Sequence, residues 1–346
     1  MHDKKNESKR MSAARASRLS ARRIRGRKAK KIPTSPAFDP VHSPLPGGTK
    51  SRVELSRIWT VPHASWSDAP APDVASAATV ALEHGSVLFL PNLPFTVDAE
   101  DQGIFSPAIL SSSKNTSFDP ASGRAGGTTL AGDDLARLRE LMIRFSDNTL
   151  SLVSGLFPRY QDRIERARAS FRPAEIAGRQ TSWRKDDTRL HVDSFPASPV
   201  QGRRILRVFS NVNPSARPRS WRVGEDFERV AERFGPALSL PWPGSAAVRH
   251  VFRITKSRRA PYDALMLQLH DRMKEDAAFQ SGCDQEAFDF PSGSTWIAFT
   301  DQVSHAAMAG QYQLEQTFLL PVDAMIDQSR SPLRILERLK GRSLTS

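Results

Sequence analysis

Two histidines and an aspartate have the residue types and the spacing of a metal site. His191 and Asp193 are separated by one residue, and His305 follows about a hundred residues later. Residues i and i+2 of a β-strand point to the same side, so His191 and Asp193 can contact one ion together. Two imidazoles and one carboxylate can occupy one face of octahedral Fe(II), which leaves three positions for a bidentate cosubstrate and O2. The pattern predicts an iron centre whose second histidine, His305, comes from another strand.

The remaining histidines are weaker candidates for that last ligand. Three of them have no carboxylate at ligand spacing: His63, His84 and His250. His270 and Asp271 lie in a helix predicted at Asp263–Glu275 and are interpreted as a pair on the surface. His305 precedes two alanines, which leave room beside a metal ion. Elimination among the histidines therefore also favours His305.

The elements that must position these residues are short strands preceded by helices. Strands are predicted over four segments: Ser86–Pro91, Arg203–Val212, Thr295–Phe299 and Tyr312–Leu320. Earlier in the chain, Asp133–Phe157 has apolar residues at helical spacing, and Gln161–Ala169 is predicted to continue as a second, charged helix. Short strands behind a helical N-terminal half predict a mainly β (α+β) fold, a sandwich or barrel with helical support. The support falls at about 130–170 and the β core at about 183–322.

The 346 residues allow one large domain or two small ones, and the net charge of +13 is unevenly placed. Residues 1–31 hold thirteen Lys and Arg against two carboxylates, so this stretch alone carries +11. Residues 1–50 are therefore predicted to be a disordered basic tail and a Pro/Gly linker, followed by one domain at 51–330 and a C-terminal extension at 331–346. Cys283 is the only cysteine, and no apolar run is long enough to span a bilayer. A cytoplasmic protein is expected.

The predicted strand at Arg203–Val212 carries two arginines on opposite faces. Arg207 shares a face with Phe209 and two asparagines, whereas Arg204 shares the other face with apolar residues. An arginine inside a sheet indicates an anionic ligand there, because a guanidinium can hold a carboxylate through two parallel hydrogen bonds. The alternative is that Arg207 lies at a rim and reaches water. On the last strand, Gln316 lies among apolar residues and is either hydrogen-bonded inside or exposed.

The sequence around the predicted ligands resembles that of a known family. The run from Ser182-Trp183-Arg184 through Leu190-His191-Val192-Asp193-Ser194-Phe195-Pro196 to Gly202–Pro214, and the stretch from Phe290 to Pro321, are similar to the bacterial Kdo 3-hydroxylases. Those enzymes are Fe(II)- and 2-oxoglutarate-dependent dioxygenases. They act on 3-deoxy-D-manno-oct-2-ulosonic acid (Kdo), the acidic sugar that joins lipid A to the lipopolysaccharide core. The similarity covers roughly residues 53–325 and excludes the tail.

The resemblance implies a double-stranded β-helix, the jelly-roll or cupin-like fold, with His191, Asp193 and His305 as iron ligands and catalytic residues. It also implies Fe(II), 2-oxoglutarate and O2, with Kdo-lipid A or a related acidic sugar hydroxylated at the 3-position. Many dioxygenases of the superfamily bind the far carboxylate of 2-oxoglutarate with a basic residue about ten positions after the last histidine. This chain has no basic residue there before Arg330.

The cosubstrate contact is therefore expected from another strand. Arg207 is the first candidate and Arg204 the second, with a hydrogen bond from Gln316. For the anionic substrate, three basic residues just ahead of the first ligand are candidates: Arg184, Lys185 and Arg189. A solvated loop with aspartate partners is the alternative for these three.

Two other functions remain open at this point. A dioxygenase acting on nucleic acid or protein would use the basic tail for targeting, although the resemblance disfavours nucleic acid. A β-sandwich binding module would make the His-x-Asp pattern accidental and would bind no metal. Contact of the tail with the inner face of the inner membrane is also left open.

Overall fold

The computed structural model describes residues 56–111, 114–241 and 259–345, so the predicted tail and linker lie outside the described residues. The strands there are β1 (Ile58–Thr60), β2 (Val87–Leu90), β3 (Thr116–Asp119), β4 (Arg124–Gly126), β5 (Glu165–Arg172), β6 (Arg204–Asn211), β7 (Arg219–Val223), β8 (Glu286–Phe290), β9 (Thr295–Phe299), β10 (His305–Ala309) and β11 (Gln313–Leu320). The helices are α1 (Pro72–Glu83), α2 (Gly132–Leu156), α3 (Phe227–Phe234), α4 (Pro261–Glu275), α5 (Ala277–Gly282) and α6 (Pro332–Lys340).

The strands form two sheets that pack against each other. The large sheet has the order β1-β2-β9-β6-β11-β5-β3-β4, and the small sheet has the order β10-β7-β8. Phe209 and Trp296 of the large sheet contact Trp221 and Phe290 of the small sheet, with ring centroids 4.1 to 5.6 Å apart. These aromatic side chains make the space between the sheets a closely packed interior.

Helix α2 covers the other face of the large sheet, as its apolar spacing predicts. One stripe of α2 is buried, with Leu138, Leu141, Met142 and Phe145, and it packs on Phe118, Phe171 and Leu314 of the sheet. The opposite stripe carries charged residues and faces water. The large sheet is therefore buried on both faces.

The charged helix predicted at Gln161–Ala169 is wrong, because most of that segment belongs to β5. Glu, Arg and Ala each favour helices, which misled the prediction. The burial along β5 instead has a period of two, with Ala169 and Phe171 buried beside half-buried Ser170 and Arg172. Pairing with both β11 and β3 holds this segment extended. Strands β1 to β5 thus join the sheet, which is not confined to residues 183–322.

The C-terminal residues pack into the main core. Ser331 caps α6 by accepting a hydrogen bond from the backbone N–H of Arg334, and Gly341 ends the helix in the left-handed conformation at φ 64°. Leu336 and Leu344 are buried in the core. Among the described residues, no helix has both the length and the apolar character that crossing a membrane requires.

Candidate metal centre

Backbone pairing brings the three predicted metal ligands together. The N–H of His191 donates to the carbonyl of His305 at 3.0 Å, and the N–H of His305 donates back at 2.9 Å. The N–H of Asp193 donates to the carbonyl of Thr300, just past β9, at 2.8 Å. One ligand atom from each of His191, Asp193 and His305 lies within 4.8 Å of the others. Residues more than a hundred positions apart in sequence therefore surround one point.

The imidazoles are oriented for metal binding. Nδ1 of His191 donates to the carbonyl of Arg189, and Nδ1 of His305 donates to the carbonyl of Val303, each at 2.8 Å. A carbonyl can only accept, so the proton is on Nδ1 and the lone pair is on Nε2. Nε2 of His191 lies 3.8 Å from Oδ1 of Asp193. Two imidazole nitrogens and one carboxylate oxygen fit the donor set that Fe(II) takes on one face.

Burial and neighbouring charges put the three groups in their metal-binding forms. Burial lowers the pKa of His191 well below its usual value, and it also lowers the pKa of His305. For Asp193, burial alone would raise the pKa, but the charge of Arg207 holds it far below the usual value. The site thus presents two neutral imidazoles and one carboxylate at neutral pH, so metal binding need not displace protons.

Arg207 supports the carboxylate ligand from β6. Its Nη1 lies 3.1 Å from Oδ2 of Asp193 and 3.2 Å from Oε1 of Glu315 on β11. Arg172 of β5 also contacts Glu315, with its Nη2 3.0 Å from Oε2. The side chain of Arg207 is 11% exposed, so the rim position considered from sequence is wrong. Its Nε is buried and has no hydrogen-bond partner among the described residues.

The structure does not bring Arg204 or Gln316 to the metal centre. In the β6–β11 register, Arg207 pairs with Thr317 and Gln316 pairs with Val208, and neighbouring residues of a strand alternate between faces. Arg204 lies on the far face, where its guanidinium contacts Asp301 at 2.8 Å. The amide of Gln316 donates to two backbone carbonyls, those of Ala167 and Thr317.

The three candidates for substrate contact lie in the loop before His191. Arg184 and Lys185 are exposed in a 3-10 turn, and Arg184 Nε lies 3.3 Å from Asp271. Arg189 is half-buried, and its Nη1 donates to the carbonyl of Lys274 at 2.7 Å. Their role in substrate binding stays a prediction.

Arg219 on β7 is a site residue that the sequence analysis missed. It is buried, and its Nη1 donates to the carbonyl of Gly310 at 2.6 Å. Its Nε has no partner, and no carboxylate among the described residues lies within 4.0 Å of the guanidinium. Burial lowers the pKa of Arg219 to about 9. A buried cation without a counterion favours an anionic ligand. The alternation of Arg219, Trp221 and Val223 between Pro218 and Gly224 was the available signal.

His270 is not on the surface, which corrects the interpretation from sequence. Its side chain is 15% exposed, and its ring centroid lies 5.3 Å from that of His191. Asp271 does pair with it, at 3.0 Å. Lys274, one turn further along α4, is also buried. Helix α4 therefore turns two titratable side chains towards the metal centre.

Comparison with known proteins places this arrangement in a family. The family model for 3-deoxy-D-manno-oct-2-ulosonic acid (Kdo) hydroxylases matches residues 65–343. The chain belongs to the Kdo hydroxylase family. None of the curated proteins compared with the chain matches it.

Solved structures of a Kdo hydroxylase, KdoO, resemble the chain closely. KdoO is described as a non-heme Fe(II) α-ketoglutarate-dependent dioxygenase, and its complex with α-ketoglutarate and Fe(III) gives a TM-score of 0.81 at 46% identity, covering 84% of this chain and 97% of that one. Its complexes with cobalt(II) and with succinate and Fe(III) each give 0.82 at 46% identity, covering 84% of this chain and 98% of theirs. The family predicted from sequence is confirmed.

Proposed function

We infer that this protein is an Fe(II)- and 2-oxoglutarate-dependent dioxygenase that hydroxylates Kdo. The observation that carries this is the convergence of His191, Asp193 and His305 in a member of the Kdo hydroxylase family. KdoO was crystallised with α-ketoglutarate, the same molecule as 2-oxoglutarate, and with succinate, its decarboxylation product. Family membership overturns the non-enzymatic alternative, and nothing in the comparisons supports a nucleic-acid or protein substrate.

The two packed sheets support the finer assignment of the fold as a double-stranded β-helix. The pairings that hold the two sheets around the centre, β6 with β9 and β11 and β7 with β8 and β10, are antiparallel. The metal ligands lie where the bridge at His191 meets β10. Small barrels of this kind bind ligands inside the mouth between their sheets.

Iron, when bound, supplies the oxygen chemistry: 2-oxoglutarate is decarboxylated to succinate and CO2, and a hydroxyl group replaces a hydrogen of the sugar. The residues of this chain supply geometry. The two Nδ1–carbonyl hydrogen bonds fix the ring orientation of His191 and His305. Trp221 stacks on His305 with 5.1 Å between ring centroids. Arg207 keeps Asp193 ionised and in place, as groups behind a metal ligand do.

Arg219 is our assignment for the far carboxylate of 2-oxoglutarate. Its guanidinium lies inside, where the charge of Arg172 opposes it and the charges of Asp187, Glu175 and Glu315 favour it. No carboxylate oxygen among the described residues lies within 4.0 Å of it, and its Nε has no hydrogen-bond partner there. Arg207 already contacts two carboxylates through Nη1. We therefore rank Arg207 second, and Arg204 and Gln316 leave the assignment because they lie on the far face.

The metal site is tested by titration with Co(II) and by succinate formation with a Kdo substrate. His191→Ala and Asp193→Ala should each abolish stoichiometric Co(II) binding and 2-oxoglutarate turnover. His84→Ala is the matched control, because His84 lies partly exposed at the end of α1. Undiminished metal binding and turnover in Asp193→Ala would overturn the proposed function.

The assignment of Arg219 is tested by steady-state kinetics in 2-oxoglutarate. Arg219→Met should raise the KM for 2-oxoglutarate about 10- to 100-fold, the range for losing hydrogen bonds between charged groups. Co(II) affinity should stay at the wild-type value. Arg217→Met is the control, since Arg217 lies two residues earlier and is exposed. An unchanged KM in folded Arg219→Met would contradict the assignment.

We also propose that the hydroxyl enters at the 3-position and that the Kdo is attached to lipid A. The family resemblance supports both points, and NMR of the product from Kdo-lipid A tests them. A cytoplasmic location and contact of the basic tail with the inner membrane stay predictions.

A further inference from the structure

Two cations contact one carboxylate beside the metal centre, and the carboxylate charge acts on a third. Lys114 Nζ lies 3.0 Å from Oδ2 of Asp187, and Arg179 Nη1 lies 3.9 Å from the same oxygen. For Lys274, Asp187 is the strongest favourable charge. These four residues, Lys114, Arg179, Lys274 and Asp187, are called the Asp187 cluster below. Three positive charges against one negative charge leave it cationic.

The carboxylate of the Asp187 cluster is fully ionised. Burial alone would raise the pKa of Asp187, but Arg172 and Lys114 lower it to about 2. The carboxylate therefore carries a full negative charge at neutral pH. The three cations of the cluster still outnumber this one negative charge. A group that completes this cluster must be an anion.

Lys274 has hydrogen-bonding capacity that the protein does not use. The residue is 2% exposed, and Nζ donates to the carbonyl of Arg184 at 3.1 Å. Among the residues that the structure describes, no carboxylate oxygen lies within 4.0 Å of Nζ. An ammonium group has three donors, so two remain. Lys114 and Asp187, with side chains 28% and 25% exposed, open the cluster to solvent.

The Asp187 cluster adjoins the metal ligands. The carbonyl of Asp187 accepts a hydrogen bond at 2.8 Å from the N–H of Ala307, two residues past His305 on β10. The charge of Lys274 acts on Asp193 and that of Asp187 on His191. The cations of the cluster therefore lie close to where a substrate of the metal centre would bind.

We propose that the Asp187 cluster binds the carboxylate of the sugar acid. Lys114 and Lys274 contact the carboxylate, and Asp187 holds the cations in place. In a 3-deoxy-oct-2-ulosonic acid the carboxyl carbon is C1, so C2 alone separates it from C3. An acid group so near the oxidised carbon must lie close to the metal, unlike the phosphates of lipid A. This inference rests on the proposed function.

The test is equilibrium binding of Kdo to the Co(II)- and 2-oxoglutarate-loaded protein, by calorimetry without oxygen. Lys274→Met and Lys114→Met should each weaken Kdo binding about 10- to 100-fold, with the affinities for Co(II) and 2-oxoglutarate unchanged. Arg163→Met is the control, because Arg163 is exposed and pairs with Asp323 away from the site. If Lys274→Met does not fold, the more exposed Lys114 carries the test. Unchanged Kdo affinity in folded Lys114→Met and Lys274→Met would overturn the proposal.

The methyl ester of Kdo identifies the group that is recognised. Wild type should bind the ester as weakly as the lysine variants bind the acid, and the variants should lose little further affinity for the ester. A variant that still distinguishes acid from ester as wild type does would overturn the proposal. So would a loss that appears only with phosphorylated lipid A attached. Absence of any Kdo binding by wild type would instead contradict the proposed function.

Discussion

Strand β6 carries a buried arginine, Arg204, and a largely buried one, Arg207, and they differ in how completely they are paired. Arg204, on the far face, contacts Asp301 at 2.8 and 3.3 Å and Gln302 at 2.6 Å, and it stacks on Phe299 at 3.8 Å. Arg207, on the metal face, reaches two carboxylates through one nitrogen and leaves Nε without a partner among the described residues. Arg204 on the far face is therefore paired within the protein, whereas Arg207 on the metal face keeps a nitrogen without a partner among the described residues.

The difference indicates that Arg204 supports the fold, whereas Arg207 supports a metal ligand. Asp301 and Gln302 lie in the turn between β9 and β10, and Thr300 at its start accepts the hydrogen bond from Asp193. Arg204 therefore holds the turn that leads to His305, but it touches none of the ligands. Arg207 touches a ligand directly, so its loss should appear in metal affinity.

Loss of Arg204 should have the largest effect on stability. Arg204→Met leaves the buried carboxylate of Asp301 without its partner and should lower the free energy of unfolding by about 3–5 kcal/mol in urea denaturation. Burial already raises the pKa of Asp301, so this charge depends on the pair. The double variant Arg204→Met, Asp301→Leu should recover most of the loss, because it buries no charge. If Arg204→Met were as stable as the double variant, the structural role assigned to Arg204 would be contradicted.

Loss of Arg207 should instead weaken metal binding. Arg207→Met removes the group behind Asp193 and should reduce Co(II) affinity about 10- to 100-fold, as loss of such partners does in other metal sites. The measurement is Co(II) titration of Arg207→Met beside the Arg204→Met, Asp301→Leu protein, which should keep wild-type affinity. Equal affinities in these two variants would remove the distinction between the faces.

Loss of the Tyr160 hydroxyl should have the smallest effect of these changes. Its hydroxyl donates to Glu83 at 2.6 Å within the far-face core, and burial raises the pKa of Tyr160 so that it stays a donor. Tyr160→Phe should cost about 1 kcal/mol of unfolding free energy. Co(II) affinity should not change, and a reduced affinity would show that the far-face network reaches the ligands.

Patterns local to one element could be predicted from the sequence. The i, i+2 spacing of His191 and Asp193, the apolar stripe of α2 and the strands β6, β9 and β11 each follow from a few consecutive residues. The predictions failed where residues distant in sequence determine the local structure. The Glu165–Arg172 segment has helix-favouring residues, but two neighbouring strands make it β5. His270 looked exposed because its neighbour is charged, yet α4 packs its ring beside His191.

The sequence by itself determined the three ligands and the family, because these depend on residue types and on spacing along short segments. The tertiary structure alone decided which basic side chains are left for anions. Arg204 is neutralised by a turn about a hundred residues away, whereas Arg219 and Lys274 are buried without a carboxylate within reach among the described residues. A buried cation's need for a partner depends on which strands and helices surround it, and that is a property of the packed molecule.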